Sequence, residues 1–239
     1  MLRNRSLAEG SIPLEWKHAT VTPVHKSDST TNPANYRPIS VLPAFSKILK
    51  RAVHKMVYTF LQQHNLLSVY QSGFRSLHST STRLTDITNT LLQDIDKGNS
   101  QAVFLDLTKA FDALDHSVLL DKLASLGFSK ASVQWFKAYL TDRTQSVVVN
   151  GSTSDPQSIS FGDPQGSLIG PLLFIIYIND VPSAVKHCKI QLYADDTLPY
   201  VSSSSISDIE SMLSEDLKHI IVESGLIITS STLTIAKLR

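Results

Sequence analysis

The sequence predicts an α+β fold in which helices alternate with β-hairpins. After Pro43, apolar residues recur at helical spacing with cationic residues between them, which indicates an amphipathic helix. The pair Asn150-Gly151 follows an apolar β-branched run, a pattern typical of a two-residue hairpin turn. An alternating segment, Lys189–Leu192, leads into another tight turn and a further apolar segment. A chain of 239 residues is long enough for one large domain or two small ones.

One strand and two helices are predicted in the first hundred residues. Alternation over residues 16–26 predicts the strand. The first helix follows Pro43, and the second covers Thr80–Lys97 and stops at Gly98. The residues expected to face inward are Phe45, Ile48, Leu49, Ala52, Val53, Met56, Val57, Phe60 and Leu61 in the first helix and Leu84, Ile87, Leu91 and Ile95 in the second. Those expected on the opposite side of the first helix are Lys47, Lys50, Arg51 and Lys55.

The remaining residues predict four further helices and four hairpin strands besides a central strand. The central strand begins at Gln101, inside an apolar run. The predicted helices are 117–126, 132–140, 168–178 and 207–224. The hairpin strands are 147–149, 158–161, 189–192 and the short apolar segment that follows Asp196. An aromatic face made by Trp135, Phe136 and Tyr139 is expected in the core rather than as a stacking platform.

Two adjacent carboxylates, Asp195 and Asp196, occupy the predicted turn after Lys189–Leu192. They repel each other, so a cation between them would stabilise the arrangement. Oxygen ligands without nearby His or Cys favour Mg²⁺ or Mn²⁺. The alternative is an ordinary turn, because aspartate bonds readily to its own backbone there.

A third carboxylate, Asp106, lies inside the apolar run 102–107. An unpaired charge there is costly, so we expect it either to be protonated or to lie at a strand end beside a compensating cation. Neighbouring strands of one sheet can bring Asp106 to the acidic turn, 89 residues later, to form a two-metal site for phosphoryl transfer. A salt bridge with Lys109 is the alternative.

A loop, Gly162-Asp163-Pro164-Gln165-Gly166-Ser167, precedes the apolar helix. Gly166 allows a base or sugar to approach the backbone, and Ser167 is a candidate N-cap. Read alone, such a loop is more often a simple turn.

Five motifs in this order resemble the reverse transcriptase domain of non-LTR retrotransposons of the LINE and jockey kind. The motifs are Asn35–Ser40, Gln71–Arg75, Phe104–Asp112, Pro164–Ser167 and Tyr193–Asp196. The resemblance covers residues 12–235 and implies the fingers and palm of a polymerase right hand, with an antiparallel palm sheet flanked by helices. It places the fingers at residues 12–100 and the palm at residues 101–235.

The resemblance implies RNA-directed DNA synthesis, in which the 3′-hydroxyl of a DNA primer attacks a dNTP opposite an RNA template. It assigns two Mg²⁺ ions, or Mn²⁺, to Asp106, Asp195 and Asp196. Phe111 matches the ring that excludes a 2′-hydroxyl, with a core phenylalanine as the alternative.

The resemblance also places residues around the nucleotide. Arg37 and Arg75 match cations near the triphosphate, with structural salt bridges as the alternative. Gln165 and Gly166 match residues that face nucleotide and template. The cationic residues expected to contact nucleic acid are Lys26, Lys47, Lys50 and Arg51. Asp112, Asp115 and His116 are expected to cap helices or make structural bonds.

Four positions depart from the family pattern. Asp163 replaces an aliphatic residue, so we expect a charge beside the nucleotide path. Pro199 follows the acidic turn, so the second strand is expected to be an edge there or to end early. Thr229 and Thr232 stand where the family has asparagine and a lysine that protonates pyrophosphate. No thumb or endonuclease is expected within the 239 residues, which suggests a truncated or degenerate copy; the alternative is a non-catalytic RNA-binding remnant.

The net charge of +1 conceals an asymmetry. Residues 1–85 carry 11 Lys and Arg against 3 Asp and Glu, whereas residues 86–239 carry 11 against 18. This distribution suits a protein that binds phosphates with one part and metal ions with another, although solvated helix faces explain part of it. The single cysteine, Cys188, excludes an intramolecular disulfide. No signal peptide or membrane-spanning run is apparent, so an intracellular protein of the cytoplasm or nucleus, not secreted, is expected.

Overall fold

The structure is a computed structural model that describes residues 2–26, 28–95, 99–106, 114–163, 166–224 and 233–238. For residues 2, 3, 91, 94, 95, 99–106, 222–224 and 233–238 it describes the backbone alone. None of the helices in these ranges combines the length and apolar character needed to cross a membrane.

The chain forms two compact units, each built from two separate stretches. Unit 1 comprises Met1–His64 and Leu114–Leu173, and unit 2 comprises Asn65–Ala113 and Phe174–Arg239. Each unit therefore contains residues from both predicted segments. The functional division into fingers over residues 12–100 and palm over residues 101–235 stays a prediction.

Unit 1 combines a mixed sheet with helices. Its helices are α1 (Leu2–Glu9), α2 (Ala44–Gln63), α4 (His116–Ser125) and α5 (Lys130–Leu140), and two short 3₁₀ turns cover Leu14–Trp16 and Pro33–Asn35. Its strands are β1 (His18–His25), β2 (Tyr36–Val41), β4 (Arg143–Val149), β5 (Ser152–Thr153) and β6 (Gln157–Ile159). Asn150 and Gly151 both have positive φ, which confirms the predicted hairpin turn.

The sheet of unit 1 has the order β2-β1-β4-β5, with β6 also paired to β4. Strands β1 and β2 form an antiparallel hairpin in which Val24 lies opposite Arg37. Strand β1 also pairs with β4, in parallel, through a register that places Thr20 opposite Ser146. The strand predicted within residues 16–26 is confirmed as β1, but its parallel partner lies more than a hundred residues away and has no local sequence signal.

The buried face of α2 differs from the predicted one. Leu49, Val53, Val57 and Leu61 are buried as expected, but Lys50 is buried as well, with 3% of its surface exposed. The apolar residues that were predicted to face inward but are instead exposed are Phe45, Ile48 and Met56. The buried stripe of α2 is therefore rotated toward Lys50, because the ammonium group of Lys50 packs over the aromatic ring of Tyr139 in α5.

The aromatic face of α5 belongs to the core, as predicted. Trp135, Phe136 and Tyr139 are almost fully buried. Asp115 caps α4 by accepting bonds from the N–H groups of Ser117 and Val118, and His116 Nε2 lies 2.8 Å from the carbonyl oxygen of Gly162. These contacts confirm the structural roles expected for Asp115 and His116.

Unit 2 is built on an antiparallel sheet. Its helices are α3 (Thr80–Ile95), α7 (Val181–Ala184) and α8 (Ile206–Ser224), and its strands are β3 (Asn99–Asp106), β7 (Lys189–Tyr193), β8 (Asp196–Ser203) and β9 (Leu233–Leu238). The sheet order is β7-β8-β3-β9, and every pair is antiparallel. The apolar helix α6 (Gly170–Tyr177) contributes residues to both units and is buried along most of its length.

Helices α3 and α8 contact this sheet. Ile87 of α3 packs against Leu198 and Tyr200 of β8. Leu84 of the same helix is exposed, so its predicted inward position is wrong. Leu91 and Ile95 have no described side chains, and their predicted orientation lies outside what the structure describes.

Pro199 neither ends strand β8 nor lies on an edge, so both expectations from the sequence are wrong. Strand β8 continues to Ser203 and pairs on one side with β7, where Pro199 lies opposite Ile190. On the other side, the ladder with β3 is interrupted opposite Val103 and Phe104. Since proline has no N–H to donate, the sheet loses a local part of one ladder and keeps the strand.

A buried carboxylate, Asp216 of α8, fixes the segment that leads into β7. Its oxygens accept bonds from the backbone N–H groups of Lys186 (2.9 Å), His187 (2.9 Å) and Cys188 (2.7 Å). Burial opposes ionisation of Asp216, but these bonds outweigh it and lower its pKa below the ordinary value. Cys188 is buried and unbridged, as predicted, and burial raises the pKa of its thiol to about 12.

Candidate functional site

The acidic turn joins β7 to β8 at one end of the sheet of unit 2. Tyr193 lies opposite Asp196 in the ladder, so Ala194 and Asp195 form the tip. Ala194 has a φ of +54°, a left-handed conformation that L-residues other than glycine rarely adopt. Asp196 is exposed and Asp195 partly so, which suits a site that meets a soluble substrate.

Strand β3 brings Asp106 to the same end of the sheet. In the β3–β8 ladder, Asp106 lies directly opposite Asp196, and Leu105 lies opposite Thr197. Directly opposed residues of antiparallel strands have Cα atoms about 4.5 to 5.5 Å apart. The backbone therefore places three aspartates from two segments, 89 residues apart in sequence, within one small region.

The donors in this region are of the kind that hard divalent cations prefer. Among the side chains that the structure describes, no three His, Cys, Asp or Glu residues cluster closely enough to hold a metal ion. The side chain of Asp106 lies outside that set. The fit of the site to a metal ion thus rests on the register of β3 and β8 and on the oxygen ligands that it brings together.

Gln71 lies fully buried against the acidic turn. Its Oε1 accepts bonds from the N–H groups of Gly73 (2.6 Å) and Ala194 (3.1 Å), and its Nε2 donates to the carbonyl of Ala194 (3.4 Å). The adjoining backbone bonds directly to β7: Leu192 N–H donates to Tyr70, and Ser72 N–H donates to Leu192. The predicted Gln71–Arg75 motif included this glutamine but gave it no role.

Gly73 makes the closest backbone approach to the turn. A Cβ added there would lie 2.0 Å from the backbone nitrogen of Ala194 and 2.7 Å from its Cα. Only a residue without a side chain fits, which explains the glycine in this motif by direct contact.

Arg75 lies in the same unit and bonds to the loop that carries it. Its Nη1 donates to the carbonyls of Ser68 (2.8 Å) and Gln71 (3.1 Å). The guanidinium has five N–H donors in total. Two carbonyl bonds thus fix the arginine in place, and its contact with a triphosphate stays a prediction.

The loop at residues 162–167 belongs to unit 1. Gly166 has a φ of +101°, and a Cβ there would lie 3.0 Å from the carbonyl oxygen of Ser40 in β2. The hydroxyl of Ser167 accepts a bond from the N–H of Ile169 at 3.3 Å. Ile169 directly precedes α6, so Ser167 stabilises the turn before the helix but is not its N-cap residue. Gln165 lies outside the described residues.

Asp163 does not add an exposed charge, contrary to the expectation from its sequence. Its side chain is buried, and Tyr139 donates its hydroxyl to Asp163 Oδ1 at 2.8 Å. The hydroxyl of Ser167 bonds in turn to the oxygen of Tyr139, also at 2.8 Å. Burial raises the pKa of Asp163, although the Tyr139 bond and the charges of Arg143 and Lys50 favour its anion.

Two buried cations accompany this carboxylate. Lys50 Nζ and Arg143 Cζ lie 5.4 and 5.2 Å from the centre of the Tyr139 ring. Burial and the charge of Arg143 lower the pKa of Lys50 to about 8, and within the described residues its Nζ has no hydrogen-bond partner. The assignment of Lys50 to nucleic-acid contact is therefore at odds with its burial, because a side chain that packs inside the unit cannot reach a phosphate at the surface.

The other cations predicted to contact nucleic acid are on the surface of unit 1. Lys26 and Arg37 are exposed on the β1–β2 hairpin. Arg37 lies opposite Val24 in the ladder, and the N–H of Lys26, just after β1, donates to the carbonyl of Asn35, just before β2. Lys47 and Arg51 are exposed on α2. Their positions agree with contact to a polyanion but do not test it.

Comparison with known proteins assigns the family. A family model described as reverse transcriptase (RNA-dependent DNA polymerase) matches residues 24–236. The chain belongs to the reverse transcriptase family.

The curated relatives of this reverse transcriptase chain are non-LTR retrotransposon polymerases, which confirms the resemblance seen in the sequence. It is 33% identical over 226 residues to the RNA-directed DNA polymerase from mobile element jockey of Drosophila melanogaster. It is 32% identical over 226 residues to the probable RNA-directed DNA polymerase from transposon BS of the same species. Each match covers 91% of the chain but 25% of the relative, so the chain spans about a quarter of their length.

Solved structures confirm the α+β fold of this reverse transcriptase chain. A telomerase from Candida albicans, solved in complex with a TWJ fragment of telomeric RNA, superposes with a TM-score of 0.66 at 14% identity, covering 98% of the chain and 45% of the telomerase. An apo telomerase from Candida tropicalis, truncated from its C-terminal domain, gives 0.63 at 12% identity and covers 95% and 51%. At such identities the likeness concerns the fold alone.

Several residues with predicted roles lie outside the described residues. They are Phe111, the residue predicted to exclude a 2′-hydroxyl; Lys109, the alternative partner of Asp106; Asp112; Gln165; and the two threonines at 229 and 232. Their roles stay predictions.

Proposed function

We propose that this chain carries the catalytic centre of an RNA-directed DNA polymerase, which adds dNTPs to the 3′-hydroxyl of a DNA primer on an RNA template. The observation that carries the proposal is the register of β3 and β8, which sets Asp106 opposite Asp196 beside the Asp195 turn. Family membership supplies the reaction class.

Asp106, Asp195 and Asp196 are the residues that would hold the metal ions, Mg²⁺ or Mn²⁺. Two such ions, when bound, stabilise the attacking and leaving oxygens of phosphoryl transfer. The primer oxygen forms a bond to the α-phosphorus as the bond to pyrophosphate breaks, and the protein contributes mainly positioning and charge compensation.

Further residues are assigned to the substrates on the family pattern. Arg37 and Arg75 are assigned to the triphosphate, where a guanidinium pairs well with phosphate oxygens. Gln165 and Gly166 are assigned to the nucleotide and template, and Phe111 to exclusion of the 2′-hydroxyl. RNA is proposed as the template because the relatives are named RNA-directed polymerases.

Primer extension on an RNA template with Mg²⁺ tests the proposal. Asp195→Asn keeps the size of the side chain but removes its charge, so extension should be lost. The matched control is Asp208→Asn, the same change at an exposed aspartate in the first turn of α8. Extension that survives Asp195→Asn at the wild-type rate contradicts the metal role.

A non-catalytic RNA-binding remnant is the second candidate. The exposed cations Lys26, Arg37, Lys47 and Arg51 of unit 1 favour it, because cations that neutralise phosphates release counterions and make binding strongly salt-dependent. Salt-dependent RNA binding without Mg²⁺-dependent extension would select this candidate over the polymerase.

A further inference from the structure

The contacts of Gln71 link the segment before α3 to the acidic turn. Its side chain is 0% exposed, and its oxygen accepts two backbone N–H groups, one from Gly73 and one from Ala194. Its amide nitrogen points to the carbonyl of Ala194. One side chain therefore satisfies the donor and the acceptor of the residue that precedes Asp195.

The backbone conformation of Ala194 depends on these contacts with Gln71. A positive φ is sterically unfavourable for alanine, and such a conformation persists only where surrounding contacts fix it. Gln71 supplies those contacts from one side, and Gly73 allows the backbone to approach closely enough. Without these contacts, backbone conformations of lower steric energy become accessible to the Ala194–Asp195 tip.

We propose that Gln71 is a positioning residue for the metal site, holding Ala194 in the left-handed conformation that directs Asp195 toward Asp106 and Asp196. This inference rests on the proposed function, since it assigns Gln71 a role only if these aspartates bind metal. It resembles outer-shell residues of metal sites, which fix the orientation of a ligand without touching the ion.

Asn179 provides a matched control within the same unit. Its Oδ1 accepts a bond from Ser68 N–H, and its Nδ2 donates to the carbonyl of Leu66, both at 2.8 Å. It therefore ties down the same segment with a side-chain amide but does not contact the turn. Replacing it weakens the anchoring of the segment without altering the contacts of Ala194.

The test is Mn²⁺ titration of the whole chain, followed by electron paramagnetic resonance, with wild type, Gln71→Met and Asn179→Ala. Methionine has a similar length but accepts neither N–H strongly. Loss of an outer-shell partner typically weakens metal affinity by about 10- to 100-fold, and we expect a loss of this size for Gln71→Met alone. Unchanged affinity in Gln71→Met, or an equal loss in Asn179→Ala, overturns the proposal.

A measurement on the wild-type chain is independent of any effect of a substitution on folding. If metal binds the ordered turn, Mn²⁺ should slow hydrogen exchange at the amides of Ala194 and Gly73, because binding lowers the population of the open turn. Exchange in these two amides that is unaffected by saturating Mn²⁺ overturns the positioning role.

Asp195→Asn separates failure of this inference from failure of the proposed function. If Asp195→Asn abolishes Mn²⁺ binding while Gln71→Met leaves it intact, only the positioning role is wrong. If Asp195→Asn also leaves Mn²⁺ binding intact, the metal site itself is wrong.

Discussion

Lys50→Met should stabilise the protein at neutral pH. The pKa of Lys50 falls from 10.5 to about 8 in the folded state, and each pKa unit corresponds to about 1.4 kcal/mol. Folding therefore destabilises the ammonium form of Lys50 by about 3 kcal/mol relative to its neutral amine, and at pH 7 the wild type carries this cost because Lys50 stays protonated. Methionine fills similar space without a charge. Asp163 loses one compensating cation, and its pKa should rise further, because the charge of Lys50 lowers that pKa in the wild type.

The sign of the pH dependence follows from proton binding. Between pH 8 and 10.5 the unfolded chain holds a proton on Lys50 that the folded chain has released, so the wild type gains stability as the pH rises. The gain in Lys50→Met should therefore be greatest below pH 8 and shrink toward pH 10.5.

Urea unfolding of wild type, Lys50→Met and Lys47→Met over this pH range measures the effect. Lys47 is exposed on the same helix, so its replacement should change stability by less than about 0.5 kcal/mol. RNA affinity should fall in Lys47→Met and be unchanged in Lys50→Met. A Lys50→Met protein that is less stable than wild type at pH 7 refutes the argument, because it would mean that the ammonium stabilises the fold.

Two further predictions concern unit 2. Gly73→Ala should lower the free energy of unfolding by about 1 to 3 kcal/mol through overpacking and also weaken Mn²⁺ binding, since its Cβ would overlap the backbone of Ala194. The control is Gly127→Ala, whose Cβ would meet no atom within 4 Å and which should affect stability only. Equal Mn²⁺ affinities in the two variants would contradict the predicted effect of the Gly73 contact on metal binding. Asp216→Asn should destabilise by about 1 to 3 kcal/mol at pH 7 because a buried N–H loses its acceptor. Because the pKa of Asp216 is lowered in the folded state, its carboxylate stabilises the fold above pH 4, and this stabilisation declines as the pH falls through the folded-state pKa. The difference in unfolding free energy between Asp216→Asn and wild type, measured with urea, should therefore disappear in acid. A difference that persists in acid would contradict the prediction.

Much of the secondary structure could be predicted because it has local causes. Helices α2 and α3 follow from apolar spacing, and the turn after β4 follows from Asn150-Gly151, although its second strand is β5 rather than the predicted segment near residue 158. The parallel pairing of β1 with β4 could not be predicted, because it joins residues that share no local pattern. The prediction from Pro199 was wrong because proline removes one donor from a strand but need not end it.

The candidate site shows the same division. The three aspartates could be proposed from motifs, yet only the register of β3 and β8 places Asp106 opposite Asp196. The role of Gln71 depends on long-range bonds to Ala194. Lys50 was expected to contact nucleic acid and Asp163 to add a charge beside the nucleotide path, because each was considered alone. Packing instead brings both side chains to Tyr139.

Iron-directed cleavage of the polypeptide tests the three-aspartate centre most directly. Fe²⁺ that replaces Mg²⁺ at such a site generates hydroxyl radicals with ascorbate and peroxide, and these cut the backbone close to the ion. The chain should be cut both near Asp106 and near Asp195–Asp196, and excess Mg²⁺ should suppress both cuts together. Cleavage at one segment alone, or at neither, would contradict a metal site shared by these strands.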